Sequence, residues 1–203
     1  MDINWQQYHW HLEPSAICNL QCPRCPRQEF PNTPWLGHSM SFEFFKSFMT
    51  EDRLKNQVKR LTMCGDVGDP IYCKDYLKIY RYIKEVDPTI HVFTITNGSS
   101  RPVAWWKEFA EIANEYDCVN FGIDGHNNAA NNLYRINSKF DTIINGIKTL
   151  REYNKDIFLN WALIVFKFNQ DYLDDIQTQA RALGMDALQL TKSTKFGSKY
   201  GEA

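Results

Sequence analysis

The chain has 203 residues and a formal net charge of -1, with charged side chains distributed along its whole length. This length suits one well-buried domain and is short for two, so we predict a single domain over residues 1–203. The near-neutral charge provides neither a basic stripe for nucleic acid nor a polybasic patch for a membrane, and the sequence supports neither partner.

The sequence shows no targeting segment. No apolar run approaches the roughly 18 residues of a membrane span, and the start Met1-Asp2-Ile3-Asn4-Trp5 lacks the positive charge and apolar core of a signal peptide. We therefore expect a cytoplasmic protein. Because the cytosol is reducing, we expect the six cysteines to be thiols or metal ligands rather than disulfides.

From about residue 9 onward, short β-rich runs alternate with helical patterns, which indicates repeated βαβ units and a parallel sheet. Strands are predicted over residues 9–16, 58–64, 90–96, 118–123, 157–166 and 187–191. Helices are predicted to begin after an N-cap at Ser41, over residues 74–86, from a first turn that contains Pro102, and over residues 141–153 and 171–183. Six strands do not close an eight-stranded barrel, so the sheet is open or forms a partial barrel.

Apolar residues in the helices recur at the spacing of one helical face, which predicts the side that packs on the sheet. The predicted inward positions are Phe42, Phe45, Phe48, Met49; Tyr76, Ile79, Tyr80, Ile83; Trp105, Phe109, Ile112, Ala113; and Ile143, Ile144, Ile147, Leu150. The strand over residues 157–166 is apolar nearly throughout, and we expect it to be central and covered on both sides.

Three cysteines, Cys18, Cys22 and Cys25, lie in a proline-rich loop after the first predicted strand. Three thiolates on one short loop can hold three irons of a [4Fe-4S] cluster and leave the fourth iron open to a substrate or cofactor. The spacing therefore predicts an iron-sulfur site with an open position.

Two alternatives use the same cysteines. The triplet with His38 would make a closed structural zinc site, and the domain would then be a non-catalytic scaffold that binds a partner, although His38 lies beyond the usual ligand spacing. The pair in Cys22-Pro23-Arg24-Cys25 resembles a thiol oxidoreductase motif, in which Cys18 would have no role. We expect Cys64, Cys73 and Cys118 to be buried as small hydrophobic residues.

Turn-forming motifs follow the next three predicted strands. They are Gly65-Asp66-Val67-Gly68-Asp69-Pro70, Thr96-Asn97-Gly98 and Asp124-Gly125. Each motif alone is typical of an ordinary turn. However, ligands of parallel α/β proteins bind at the carboxyl ends of the strands, and the cysteine loop lies at the same edge. The four loops together predict one binding site.

Residues 9–191 resemble the radical S-adenosylmethionine (SAM) enzymes. The cysteine triplet is similar to the cluster loop of that family, and Gly65 to Pro70 is similar to its glycine-rich SAM segment. Asp124-Gly125 with Tyr134-Arg135 resembles the pattern of its SPASM/twitch branch. The resemblance implies a single radical SAM core domain whose fold class is α/β, a partial (βα)6 TIM-like barrel of parallel strands, here without a helix after the last strand.

The resemblance also implies cofactors and roles. Cys18, Cys22 and Cys25 would hold a [4Fe-4S] cluster, and reductive cleavage of SAM would yield a radical that abstracts a hydrogen from a peptide or small metabolite. The SAM amino group would lie at Gly65, Asp66, Gly68 and Asp69, its carboxylate at Arg135, and its ribose at Asn97 and Asp124. An electron donor such as flavodoxin or ferredoxin is implied. We assign no catalytic residue beyond the cluster ligands.

The chain also departs from the family pattern. Pro23 stands where an aromatic residue is common, Asp69 replaces the usual Glu, and Gly122 replaces a frequent Ser. No cysteine follows Thr191, so we expect no auxiliary cluster. A truncated chain and a partner that covers the open barrel edge are both compatible with the missing last helix. The polar residues Asn160, Lys167 and Gln189 in or near late strands are candidates for substrate contact.

Overall fold

The computed structural model describes residues 8–192. The six strands are β1 (Tyr8–Leu12), β2 (Val58–Met63), β3 (His91–Thr96), β4 (Cys118–Gly122), β5 (Phe158–Val165) and β6 (Ala187–Lys192). The α-helices are α1 (Pro26–Glu29), α2 (Phe42–Phe48), α3 (Glu51–Gln57), α4 (Tyr76–Val86), α5 (Val103–Ile112), α6 (Asn128–Asn132), α7 (Phe140–Tyr153) and α8 (Leu173–Ala182). Short 3-10 turns lie at Pro70–Tyr72 and Gln170–Tyr172.

All six strands form one sheet in the order β1-β2-β3-β4-β5-β6, and every neighbouring pair is parallel. Helical segments connect each strand to the next, as parallel pairing requires. Within the described residues, β1 and β6 are the two edges of the sheet. The α/β class and the partial TIM-like barrel that the sequence predicts are confirmed.

The two faces of the sheet differ in polarity. Side chains on the outer face, such as Leu61, Val119 and Trp161, are fully buried in a core that the helices complete. The inner face carries polar side chains that bond to one another across strands. His9 pairs with Thr62 (2.6 Å), and Asn160 donates to Asn120 (2.6 Å) and Gln189 (3.1 Å). These last contacts lie inside the barrel.

The predicted helix faces are largely correct. The four apolar positions of α4 are buried, as are Ile143, Ile147 and Leu150 of α7. In α5 the fully buried tryptophan is Trp106, which packs its ring 5.5 Å from that of Phe121, while Trp105 is only partly buried. The prediction therefore chose the wrong one of two adjacent tryptophans.

Several predicted boundaries are wrong. The first strand ends at Leu12 rather than at residue 16, because the chain then crosses to the cysteine loop and Ala16 N donates to the carbonyl of His38 (2.9 Å). The helix after Ser41 is two helices, since Thr50 caps a second one through its hydroxyl. Helix α6, capped by Asn127, was not predicted. Strand β5 is next to the edge rather than central.

A buried ion pair joins α4 to the start of β4. Lys84 Nζ lies 2.5 Å from Asp117 Oδ1, and both side chains are nearly inaccessible. Burial lowers the pKa of Lys84, and the Asp117 carboxylate opposes that shift. Asp117 also accepts the backbone N–H groups of Val92 and Asn114 at 3.0 Å.

We expect Asp117→Ala to destabilise the fold by about 3–5 kcal/mol, because it leaves a buried ammonium group without its counterion. Urea unfolding followed by circular dichroism measures the loss. The matched control is Glu108→Ala, whose exposed pair with Arg81 should contribute about 0–1 kcal/mol. Equal losses for the two variants would contradict a stabilising role for the buried pair.

Candidate functional site

A cavity of about 300 Å³ lies at the carboxyl ends of the strands. Loops that follow four different strands contribute to its wall. The predicted site residues that line it are Cys18, Cys22, Cys25, Gly65, Gly68, Asp69, Asn97 and Arg135. Ile95, Asn120 and Ala162 of the inner face extend the wall into the barrel. The structure thus brings together most of the residues that the sequence singled out.

The three cysteines are presented by a tight loop. Cys25 N donates to the carbonyl of Cys22 (3.0 Å), and Cys25 is the N-cap residue of α1. Leu20 N points to Cys18 Sγ at 3.4 Å, and Arg27 donates to the carbonyl of Cys18 (3.0 Å). All three thiols are partly exposed. They are therefore held in a fixed loop and remain reachable from the cavity.

Burial raises the pKa of both Cys18 and Cys22 to about 11, with the Asp69 charge adding to the effect at Cys18 and Arg135 opposing it at Cys22. Both groups are thiols at neutral pH when no metal is bound. A metal ion must displace these protons, since the thiolate is the ligand. The raised pKa values argue against a reactive dithiol, which needs a lowered pKa.

Asp69 connects two of the loops. Its buried carboxylate accepts from Thr96 Oγ1 (2.8 and 3.0 Å), from Asn97 N (2.7 Å) and from Ile71 N (3.2 Å). Burial raises the pKa of Asp69 to about 6, and these hydrogen bonds oppose the shift. Its carboxylate is thus occupied in fixing the loop after β3, and the shorter side chain of Asp fits this role.

Asn97 faces the cysteine loop. Its Nδ2 lies 3.4 Å from Cys18 Sγ and 3.4 Å from Asn19 Oδ1. Its Oδ1 accepts from both the N–H and the hydroxyl of Ser99. Through the bond from Asn97 N to Asp69, the loops after β1, β2 and β3 form one hydrogen-bonded unit. The amide therefore supports the sulfur ligand in addition to lining the cavity.

Arg135 and Asp124 form an ion pair beneath the cavity. Arg135 Nε lies 2.7 Å from Asp124 Oδ2, and the other carboxylate oxygen accepts from Ile164 N (2.7 Å). Asp124 is fully buried, which raises its pKa, and Arg135 opposes that shift. No hydrogen bond joins either Nη atom of Arg135 to another residue in the range 8–192. The two Nη groups of the guanidinium, the Nη fork, are thus available to bind a ligand at the cavity wall.

Two glycines lie in close contact with groups of the site. A Cβ atom at Gly122 would lie 2.8 to 3.0 Å from the guanidinium of Arg135. A Cβ atom at Gly68 would lie 1.9 Å from the carbonyl oxygen of Ser15, so the glycine turn packs against the segment that leads to the cysteines. Gly122, by contrast, faces the flexible end of the Arg135 side chain.

Sequence reasoning missed the side chains that hold the Asp124 loop. Asn131 accepts from Asp124 N (2.8 Å) and donates to Ser138 Oγ (2.8 Å), and Asn169 donates to the Asp124 carbonyl (2.8 Å). All three are buried polar residues. Asn and Ser in loops usually indicate turns, so their composition alone gave no signal of this network.

Other predicted residues lie outside the cavity wall. Asp66 is exposed, and its carboxylate lies 3.8 Å from Cys64 Sγ. The Asp124 carboxylate is bonded to Arg135 Nε and Ile164 N. Asn160 and Gln189 bond to each other inside the barrel, whereas Lys167 is exposed in the loop after β5.

His38 lies in a separate depression beside Trp35 and Met40, so the described structure does not assemble the three-cysteine, one-histidine zinc site. Among the remaining cysteines, Cys64 and Cys73 are buried as expected, and Cys118 is only partly buried. None of the helices in the described part of the chain has the length and apolarity that crossing a bilayer requires.

Comparison with known proteins agrees with this geometry. The family model described as the Radical SAM superfamily matches residues 12–178. No curated protein matches the chain in sequence.

Solved structures share the fold at low sequence identity. The anSMEcpe structure with bound AdoMet and Cp18Cys peptide has a TM-score of 0.71 at 18% identity, over 96% of this chain and 55% of that chain. TYW1 with a lysine-pyruvate adduct has a TM-score of 0.58 at 12% identity, over 95% and 67%. The radical S-adenosylmethionine methyltransferase TsrM from Kitasatospora setae, with cobalamin and a [4Fe-4S] cluster bound, has a TM-score of 0.59 at 10% identity, over 96% and 43%. The chain thus spans little more than half the length of the anSMEcpe chain.

Proposed function

Since this chain belongs to the radical SAM superfamily, we propose that it cleaves SAM reductively at a [4Fe-4S] cluster and abstracts a hydrogen atom from an organic substrate. One observation carries the proposal. Cys18, Cys22 and Cys25 line one cavity, and no other cysteine or histidine among residues 8–192 lines it. A cluster held there keeps one iron without a protein ligand, which is the position that SAM requires.

The donor set fits the cluster, because three thiols on one short loop match three of its irons. When bound, the cluster supplies the electron that breaks the C5′–S bond of SAM. The protein excludes water and positions the reactants. The apolar side chains of Ile95, Leu163 and Ile164 in the cavity wall would perform the first task, and the polar groups around the cysteine loop would perform the second.

We assign the methionine part of SAM to two sides of the cavity. The backbone at Gly65 and Gly68 would accept from the ammonium group, since glycine lets the main chain come close. Asp66 and Asp69 belong to the same segment and would contribute through their main chains, because the Asp69 carboxylate is bonded to Thr96 and Asp66 does not line the cavity. The unused Nη fork of Arg135 would bind the carboxylate. Asn97 would contact the ribose. Asp124 would influence the ribose only indirectly, through its ion pair with Arg135.

Substrate, electron donor and location are the remaining parts of the proposal. The anSMEcpe structure contains a peptide, which makes a peptide one substrate class to test, beside a small metabolite. Asn160 and Gln189 lie on the inner face of the barrel and would contact the substrate. Lys167 is exposed in the loop after β5 and would contact the substrate from there. The electron donor would be a flavodoxin or ferredoxin, and the protein would be cytoplasmic.

The function is tested by anaerobic reconstitution with iron and sulfide. We expect about four irons per chain, and formation of 5′-deoxyadenosine after reduction with SAM. Full cluster loading without the nucleoside would contradict the proposal. Stoichiometric zinc without iron, in protein purified without oxygen, would instead favour the non-catalytic scaffold.

Asn97 provides a prediction that does not depend on turnover. Hydrogen bonds to the sulfur ligands help to set the potential of a cluster, and a donor stabilises the more negative reduced state. Asn97→Ala removes the N–H group at 3.4 Å from Cys18 Sγ, so we expect a more negative reduction potential. A redox titration followed by electron paramagnetic resonance measures it. The control is Asn132→Ala, whose amide donates to the carbonyls of Asn128 and Ser138 and to no cysteine in the described residues. An unchanged or higher potential in Asn97→Ala would contradict this role.

A further inference from the structure

A second group of metal-ligating side chains lies beside the cysteine cavity. His11, Cys64 and Asp66 each offer one ligand atom, and these three atoms lie within 4.8 Å of one another. None of the three lines the cavity described above. The group is therefore distinct from the cluster loop, although the Asp66 carbonyl oxygen lies 4.0 Å from Cys25 Sγ.

Strand pairing brings the three residues together. His11 pairs with Thr62 in the β1–β2 register, and Cys64 follows two residues later on the same face of the sheet. The backbone bond from Cys64 N to the Leu12 carbonyl (3.0 Å) continues that pairing past the end of β2. Asp66 is placed by the turn that follows, where its Oδ1 lies 3.8 Å from Cys64 Sγ. The positions are thus fixed by main-chain structure.

The His11 and Asp66 side chains are exposed and available for a ligand, and Cys64, 9% accessible, lies beside them. The His9 imidazole, two residues earlier in β1, is bonded to Thr62 Oγ1 at 2.6 Å. By contrast, no hydrogen bond joins the His11 imidazole to another residue in the described part of the chain, and His11 is exposed. The Glu13 carboxylate adds negative charge next to the group.

We propose that His11, Cys64 and Asp66 bind one divalent transition-metal ion, with Zn²⁺ the best match. Zinc is bound in proteins by imidazole nitrogen, thiolate sulfur and carboxylate oxygen, whereas Mg²⁺ and Ca²⁺ prefer oxygen ligands alone. The Cys64 thiolate and the Asp66 carboxylate neutralise the ion, and binding releases the thiol proton of Cys64.

Three protein ligands leave at least one coordination position open, as in catalytic rather than structural zinc sites. A water molecule or a polar group of a substrate would occupy it. Because the site adjoins the cysteine loop, a group bound there lies next to the proposed reaction cavity. The site extends the proposed function but does not rest on it, since it requires neither a cluster nor SAM.

The first test uses the full chain with its cluster reconstituted, then incubated with Zn²⁺ and desalted. We expect about one zinc per chain in addition to the cluster iron. His11→Ala should weaken zinc binding by more than the ~10–100-fold that loss of an outer-sphere partner costs, and should keep its iron. His9→Ala is the matched control and should keep both metals. Retained iron reports that each variant is folded.

The second test uses Co²⁺ and the full chain with Cys18, Cys22 and Cys25 replaced by serine. We expect thiolate-to-cobalt charge-transfer absorption that is lost in Cys64→Ser and kept in Cys118→Ser. Absence of zinc beyond the cluster metal in the first test would overturn the proposal. Zinc binding that is unchanged by both His11→Ala and Cys64→Ser would overturn it equally.

Discussion

Replacement of Cys22 by alanine is expected to prevent assembly of a complete cluster and to reduce 5′-deoxyadenosine formation to the level of protein without iron. Cys22 is the middle cysteine of the triplet in sequence and lines the cavity together with Cys18 and Cys25. Its removal leaves two thiols, and residues that act as a unit lose nearly the whole effect when one is removed. Iron and sulfide analysis with product chromatography, both under anaerobic conditions, measures the result.

The matched control is Cys118→Ala. Cys118 is another partly exposed cysteine, but it begins β4, whereas Gly122 at the other end of that strand lines the cavity. We expect normal iron loading and normal product formation in this variant. Full cluster loading with undiminished product in Cys22→Ala would contradict the assigned ligand set.

Cys18→Ala separates the cluster from the thiol oxidoreductase interpretation. A dithiol mechanism that uses only Cys22 and Cys25 predicts that this variant keeps dithiol exchange, whereas the cluster model predicts loss of all activity. The raised pKa of Cys22 already disfavours the dithiol mechanism, because burial keeps that group protonated at neutral pH.

The sequence predicted the order of the elements because alternating strand and helix patterns are local signals. The ends of the elements depend on distant partners and were less accurate. The first strand stops early because Ala16 bonds to the carbonyl of His38, 22 positions later. Trp106 of α5 is buried against Phe121 of β4. The sequence pattern of α5 alone does not distinguish Trp106 from Trp105.

The sequence predicts which loops form the site, but it does not predict the hydrogen-bond partners of several side chains in those loops. Asp69 and Asp124 were read as cofactor contacts, and the structure shows both carboxylates bonded to protein groups. Their partners Thr96 and Ile164 lie in other strands, β3 and β5, and give no local signal. Likewise, the sequence predicts Cys64 only as a small hydrophobic residue. The pairing of β1 with β2 is what places His11 beside it.

Arg135→Lys is expected to weaken SAM binding about ten- to a hundredfold, since hydrogen bonds to a charged group contribute about 1.5–3 kcal/mol. Lysine keeps the charge but lacks the planar fork, so it cannot both bond to Asp124 through Nε and bind a carboxylate through two Nη atoms. Equilibrium dialysis of SAM against cluster-loaded protein measures the affinity.

Arg151→Lys is the control for that experiment, because Arg151 has nearly the same exposure as Arg135, 17% against 18%, and also pairs with an aspartate, Asp186. Its guanidinium bonds to the segment before β6, including the carbonyl of Gly184 at 2.9 Å, and it does not line the cavity. We expect this variant to bind SAM normally. If both variants bind SAM as tightly as the unmodified protein, the Nη fork is not the carboxylate site. If both lose affinity equally, the effect of Arg135 is on the fold. Loss in Arg135→Lys alone therefore assigns the SAM carboxylate to the guanidinium that Gly122 leaves room for and Asp124 holds in place.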